Sequence, residues 1–271
     1  MNILLFGDIV GRPGRSAVIQ AIPELQKKYA TDLIIANVEN SAHGFGVTPK
    51  IIEELFDAGV DIFTSGNHVW KNAAGVSFLQ ANPDRILVPE NYTDNRPGTG
   101  VFRFSHKNTD VCIINLVGEV FMKENDIIAS PFETFDTLYK KHGADAITIV
   151  DFHAEATGEK RAFSWYVNGR AQVVVGTHTH VPTADAQIMD DGTAYITDIG
   201  MCGAYPSSLG MDKDLVQRKV ALQESVSLAP PQHPEEVIAR ALFVEIDTQN
   251  RVARRVERID HISSFSYTEN K

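Results

Sequence analysis

Two histidines separated by one residue, His178-Thr179-His180, stand directly after the apolar run Val173-Val174-Val175. Few structural roles ask for such a pair, and two imidazoles so spaced can serve one metal cluster. Four other polar blocks also end apolar runs: Gly7-Asp8, Asn37-Val38-Glu39-Asn40, Gly66-Asn67-His68 and Asp151-Phe152-His153. Singly, each block has an ordinary explanation. Asp8 could cap the next helix, Asn40 and Asn67 suit turns, and a lone His153 suits a hydrogen-bonded structural role. Five in succession point to a constellation. Carboxylate, carboxamide oxygen and neutral imidazole without thiolate suit first-row divalent ions such as manganese, iron, cobalt or zinc. The candidates outnumber the four ligands of a tetrahedral zinc, so a two-metal site sharing one carboxylate is the economical expectation. Two metals about 3.5–4 Å apart clamp a phosphate and activate the water that attacks it.

The elements that must position these residues read as an α/β layered mixed sheet flanked by helices. Of the apolar runs over residues 3–6, 33–38, 61–65, 86–88, 111–117, 146–152, 172–175 and 195–197, several are apolar on both faces, as strands covered by helices are. Open α/β sheets place their sites outside the carboxyl ends of strands, where distant residues converge. Helices are predicted over 15–29, 49–58, 68–80, 131–142, 155–167 and 213–223. Thr48-Pro49 supplies an N-cap and a proline at N1, and Ser130-Pro131-Phe132-Glu133 adds a capping-box glutamate. Hairpins are predicted for 101–104 with 110–116 and for 241–247 with 252–259, the second turning at Asn250 and making the sheet mixed near its ends. Residues 229–234 read as a linker. The roughly 35 residues beyond it are too few for an independent core, so a single domain over 1–271 is expected.

Competing chemistries lack their motifs. Gly7, Gly11 and Gly14 follow the first strand without GxGxxG spacing or the GK[ST] of a P-loop, and no GxSxG elbow occurs. Cys112 and Cys202 form no CxxC pair, which leaves no disulfide framework or zinc-thiolate site and fits a reducing cytoplasm. The start of the chain, broken by Asp8, reads as a strand rather than a signal peptide, and no run of about 18 apolar residues predicts a membrane span. Across 271 residues, 43% hydrophobic and 22% charged is ordinary globular usage. Net charge −10 disfavours extended nucleic acid and anionic membrane as partners. Small phosphodiesters remain open, because bound cations reverse the local sign of charge.

These blocks, in this order, resemble the calcineurin-like metallophosphoesterases, and more closely the YmdB-type branch. The superfamily pattern is Asp-x-His, a bridging Asp, Asn-His, a His, and His-x-His. Asp8, Asn67, His68, His153, His178 and His180 fit it, while Val10 replaces the first histidine and the bridging acid is Glu39, followed by Asn40. The YmdB-type branch is similar in both departures. The resemblance implies that Asp8, Glu39, Asn40 and His180 hold one metal and that Glu39, Asn67, His153 and His178 hold the other, with iron or manganese as the ions. It implies a phosphodiesterase acting on small cyclic nucleotides, particularly 2′,3′-cyclic ones, by hydroxide on the metals, with His68 as the acid that protonates the leaving oxygen. A sensing protein that binds nucleotide or phosphate without turnover is the alternative, motivated by Val10, and a purely structural metal site in an oligomer is a third. Arg12 is a candidate phosphate contact or a solvated loop residue. A homo-oligomer is left open.

Overall fold

The computed structural model describes residues 1–82, 85–122 and 127–266. Ile3, Leu4, Leu5 and Phe6 are all buried, so strand β1 (Asn2–Phe6) lies inside the molecule and is covered on both faces. Strand β2 (Asp8–Ile9) follows Gly7. Helix α1 (Gly11–Tyr29), strand β3 (Leu33–Asn37), helix α2 (Pro49–Asp57) and strand β4 (Ile62–Thr64) come next, with β3 parallel to both β1 and β4. After helix α3 (Ala73–Ala81), strands β5 (Val101–His106) and β6 (Thr109–Val117) start a second sheet as a hairpin. Lys107 and Asn108 both take positive φ in its two-residue turn, matching the twist of the strands. Helix α4 (Pro131–Leu138), strand β7 (Ile147–His153), helix α5 (Thr157–Val167) and strand β8 (Val173–Thr177) extend that sheet with parallel pairs. Strands β9 (Gln187–Ile188) and β10 (Ala194–Ile196) complete it. The chain returns to the first sheet with strand β11 (Met201–Tyr205), helix α6 (Lys213–Val220) and the long hairpin of β12 (Glu236–Asp247) and β13 (Val252–Ser264).

The first sheet runs β2-β11-β12-β1-β3-β4, with β13 also paired to β12, and the second runs β5-β6-β7-β8-β10-β9. Alternation along β1 divides the core. Ile3 and Leu5 pack with Val111, Ile113, Val173 and Val175 of the second sheet, whereas Leu4 and Phe6 pack with Val18, Ala21 and Ile22 of α1. Phe135 of α4 and Phe163 of α5 cover the far face of the second sheet, against Phe152. The architecture is therefore an α/β sandwich of two mixed sheets flanked by helices. Each fully buried Val, Leu, Ile or Phe contributes roughly 1.5–3 kcal/mol, so three apolar layers fix where the strand ends lie.

Several predicted elements change in detail. Helix α1 begins at Gly11, four residues before the predicted start, and α5 begins at Thr157. The stretch 68–80 does not form one helix: a single 3₁₀ turn, Val69–Lys71, gives way to α3 at Asn72, whose side chain accepts from the amides of Ala74 and Gly75 and caps a new helix. Residues 86–88 make only isolated bridges, Ile86 to Phe63 and Leu87 to Thr99. α4 ends at Leu138 in a π turn, Tyr139–Gly143. The C-terminal hairpin does not sit at a sheet end, because β12 pairs with β1 and β11 as well as β13; its turn carries Asn250 as expected, bonded to Asp247, with positive φ at Arg251. The caps at Thr48 and Ser130 form, accepting from Ile51 and Glu133.

Candidate metal centre

Strands β1, β3 and β4 of one sheet and β7 and β8 of the other bring their carboxyl ends to the same edge of the sandwich. Asp8 follows β1, Glu39 and Asn40 follow β3, Asn67 and His68 follow β4, His153 ends β7, and His178 and His180 follow β8. Asp8, Glu39 and His180 each offer an atom within 4.8 Å of the others, and so do Glu39, His153 and His178. Glu39 belongs to both groups. All eight residues singled out by sequence meet at this edge.

Around His153 the ligand atoms crowd together. Its Nε2 lies 3.0 Å from His178 Nδ1 and 3.3 Å from both Glu39 Oε2 and Asn67 Oδ1. Ligands about 2.0–2.2 Å from one ion and at right angles to each other stand close to 3 Å apart, so these spacings would suit a coordination shell. Gly66 makes room for it: a Cβ there would fall 2.2 Å from His153 Nε2 and 2.3 Å from Glu39 Oε2. In the other group, Asp8 Oδ2 accepts from the His178 amide, while Asp8 Oδ1 is buried with no hydrogen-bond partner among the described residues. An orphaned buried carboxylate oxygen is what a cation would satisfy.

Each of the three imidazoles in these groups is tied on its outer nitrogen to an acceptor. Thr177 Oγ1 gives its own proton to Asp151 Oδ1 at 2.7 Å and so accepts from His153 Nδ1 at 2.9 Å. The Leu209 carbonyl accepts from His180 Nδ1 at 2.9 Å, and Glu155 Oε2 lies 3.2 Å from His178 Nε2. Every inner nitrogen is thereby left to face the cluster, the arrangement that metal-bound histidines adopt. Asp151 also accepts from Thr64 Oγ1 of β4 and Asn37 Nδ2 of β3, so one buried carboxylate joins the two sheets beneath the site.

Charge in the site follows burial and pairing. Burial pushes the Asp8 carboxyl up to about 6, against the pull of the His180 and His153 imidazoles. Burial acts on Glu39 in the same sense, but the His153 imidazole overrides it and holds Glu39 well below the usual carboxylate range. His153 resists its own burial because Glu39 lifts it to about 9, with Asp8 and Asp151 adding to the effect. Burial, then the neighbouring His153, drives His178 down to about 3, and burial also lowers His68. Three acceptors, His178 Nδ1, Glu39 Oε2 and Asn67 Oδ1, thus crowd one point beside His153, and the donor set fits divalent ions.

Asn40 points its Oδ1 at His68 Nδ1, 3.0 Å away, and its Nδ2 at Glu39 Oε1 and His180 Nε2, 2.9 and 3.1 Å away. The ring of Phe45 stands edge-on to His68 at 5.0 Å, whereas Trp70 packs on Tyr92. In front of the cluster lies a cavity of about 330 Å³ lined by Phe45, His68, His178, His180, Leu209 and Met211, among others. Arg12 lines a different cavity beside Pro230 and donates to the Gln232 carbonyl. Sequence reasoning missed Asp151 as a brace, Thr177, Glu155 and Leu209. Asp151 was visible two residues before His153, but its partners lie far away in the chain.

Two mixed sheets flanked by helices, with histidine, carboxylate and carboxamide groups at their common edge, define a calcineurin-like phosphoesterase fold. A Staphylococcus aureus structure carrying a 5′-nucleotidase name superposes with TM-score 0.62 over all of this chain and 56% of its own; at 15% identity that likeness speaks for the fold alone. The chain belongs to the YmdB-like protein family, whose model matches residues 4–259. The 2′,3′-cyclic-nucleotide 2′-phosphodiesterase of Bacillus subtilis (strain 168) is 39% identical over 260 residues, 96% of each chain. The crystal structure of a novel phosphatase from Mycoplasma pneumoniae superposes with TM-score 0.90 at 31% identity, over 97% of this chain and 94% of that one. The protein is accordingly a hydrolytic phosphoesterase. Among the described residues, no helix is long and apolar enough to cross a membrane.

Proposed function

We propose that the chain is a single metallophosphoesterase domain, residues 1–271, that hydrolyses small phosphodiesters, 2′,3′-cyclic nucleotides foremost, with two metal ions at the strand ends. The observation that carries this reading is the sharing of Glu39 between the two ligand groups. Glu39, Asn67, His153 and His178 would hold one ion, and Asp8, Glu39, Asn40 and His180 the other; iron or manganese suits the donors. Bound there, the ions would supply an activated water and neutralise phosphate charge. Among the described residues the cavity lining contains no lysine or arginine, so that neutralisation has no other source there. A diester carries one negative charge where a monoester carries two, which suits a site without side-chain cations. Phe45, Leu209 and Met211 offer an apolar wall of the kind a nucleobase packs on.

His68 donates its Nε2 proton to the leaving oxygen. The acid form is the imidazolium, which carries a proton on both ring nitrogens. Asn40 Oδ1, 3.0 Å away, accepts from its Nδ1–H, so giving up the Nε2 proton leaves the neutral tautomer that this bond favours. Two buried free thiols, Cys112 and Cys202, support a cytoplasmic enzyme, and a homo-oligomer is compatible with this reading.

Incubating metal-replete protein with a panel of phosphodiesters and monoesters tests the reading: 2′,3′-cyclic nucleotides are expected to be opened, and binding without product would favour the sensing alternative. His68→Ala is expected to keep its metals and to slow nucleotide substrates by about 10²–10⁴-fold, the usual contribution of a positioned acid. An activated aryl diester, whose leaving group needs no proton, is expected to slow far less. Equal slowing of both would remove His68 from the acid role.

A further inference from the structure

The loop that carries His178 and His180 is held in an unfavourable backbone conformation. His178 has φ 95° and His180 φ 64°, on either side of Thr179. L-residues with side chains of this size rarely adopt such values, and they persist only where the surroundings over-determine them. The surroundings here are a buried ion pair. Lys160 Nζ donates to Asp198 Oδ2 at 2.8 Å and to the Thr177 carbonyl at 2.7 Å, and the two side chains are 1% and 0% exposed. Asp198 Oδ2 also accepts from the Thr179 amide at 3.1 Å and the Thr179 hydroxyl at 2.7 Å, and its Oδ1 accepts from the Gly200 amide at 2.8 Å.

Nothing in the local structure of α5 asks for Lys160. A cation in the first turn of a helix opposes the helix dipole, and burying a lysine is costly even when it is paired. The chain nevertheless opens a passage for it. Gly176 has no side chain where a Cβ would fall 1.7 Å from the Thr197 carbonyl oxygen and 3.0 Å from Lys160 Cδ. The lysine thus grips the residue before His178, and its carboxylate partner grips the residue between His178 and His180.

We propose that Lys160 and Asp198 are positioning residues that hold the His178-Thr179-His180 loop in the conformation that presents one imidazole to each metal pocket. The inference rests on the reading of His178 and His180 as metal ligands. Because the loop serves both pockets, loosening it weakens both at once. Removing a bond to one ligand alone would not.

The test is a manganese(II) titration of the chelator-stripped, full-length chain, comparing wild type, Lys160→Met and Phe163→Leu. Phe163 lies on the same helix but packs in the outer apolar layer, so it controls for destabilisation of α5. Lys160→Met is expected to weaken both ions by about 10–100-fold, the usual effect of losing a group that orients ligands, with Phe163→Leu within about twofold of wild type. Thermal melts of the stripped proteins would establish that the two variants are comparably destabilised. If Lys160→Met does not fold, Lys160→Met combined with Asp198→Asn removes both charges and is expected to show the same paired weakening. Wild type binding two ions, with the lysine variant equal to the Phe163→Leu control, would overturn the positioning role alone. Wild type binding no manganese would overturn the ligand reading and the positioning role with it.

Discussion

Around His153 every support is in place: the imidazole is fully buried, Glu39 is 1% exposed, Gly66 leaves the space open, and Thr177 with Asp151 fixes the inward nitrogen. Around Asp8 and His180 the construction is looser. His180 Nε2 stands 3.9 Å from Asp8 Oδ1, that oxygen has no hydrogen-bond partner among the described residues, and Asn40 turns its nitrogen inward. The two candidate pockets share a carboxylate but not a degree of preorganisation. A ligand set that is already oriented loses less freedom on binding, so the His153 pocket is expected to fill first and hold its ion more tightly.

The change with the largest expected effect removes what the pockets have in common. Glu39→Gln keeps the shape but not the charge, and is expected to empty both pockets and lower diester turnover by more than about 10³-fold, the upper range for losing one charge-stabilising group. Elemental analysis beside a turnover assay checks it. Two ions per chain in the variant would end the shared-ligand reading and the comparison built on it.

Gly66→Ala discriminates between the pockets. Its Cβ would fall among the His153 and Glu39 atoms, whereas no atom of Asp8 or His180 is among its three nearest neighbours. One ion is expected to be lost, and activity to fall by about 10²–10³-fold. Retention of both ions, measured in the same way, would mean the His153 pocket is not where the first ion sits.

A smaller effect is expected from Thr177→Val, which deletes one hydroxyl and leaves Asp151 Oδ1 and His153 Nδ1 without it. Unpaired buried groups cost about 1–3 kcal/mol, readable in denaturant unfolding of the stripped protein. Affinity in the His153 pocket is expected to weaken by about 10–100-fold, while the His180 pocket changes little. Equal weakening of both would place the bracing elsewhere.

What the sequence made legible follows from the range of each signal. Strand-end blocks are local patterns, and five of them sufficed to name Asp8, Glu39, Asn40, Asn67, His68, His153, His178 and His180. The braces are not local. Asp151 meets Asn37 across 114 residues and Thr64 across 87, and Lys160 reaches Asp198 across 38, so no spacing rule connects them. The C-terminal hairpin was legible as a hairpin from its turn and paired runs. Its place beside β1 and β11 was not, because strand neighbours depend on which apolar faces find each other in space. The break at Asn72 escaped for a different reason: the apolar pattern continues through it, but an asparagine that can bond the amides ahead of it starts a new helix instead of continuing the old turn.

The smallest expected effect concerns Val10, which stands where the superfamily pattern has a histidine. Supplying the histidine is the obvious way to strengthen the looser pocket, and packing argues that it will fail. Val10 is fully buried with Met201 and Ile238, and Gly210 lies so close that a Cβ on it would fall 2.6 Å from a Val10 methyl. An imidazole is larger than an isopropyl group and needs a hydrogen-bond partner, so Val10→His overfills this corner, at about 1–3 kcal/mol of stability. Metal affinity in the His180 pocket is not expected to rise. Denaturant unfolding and manganese titration of the variant check both halves, and a tighter second ion without loss of stability would show that the pocket is loose for want of a ligand and not because the chain has closed around a different design.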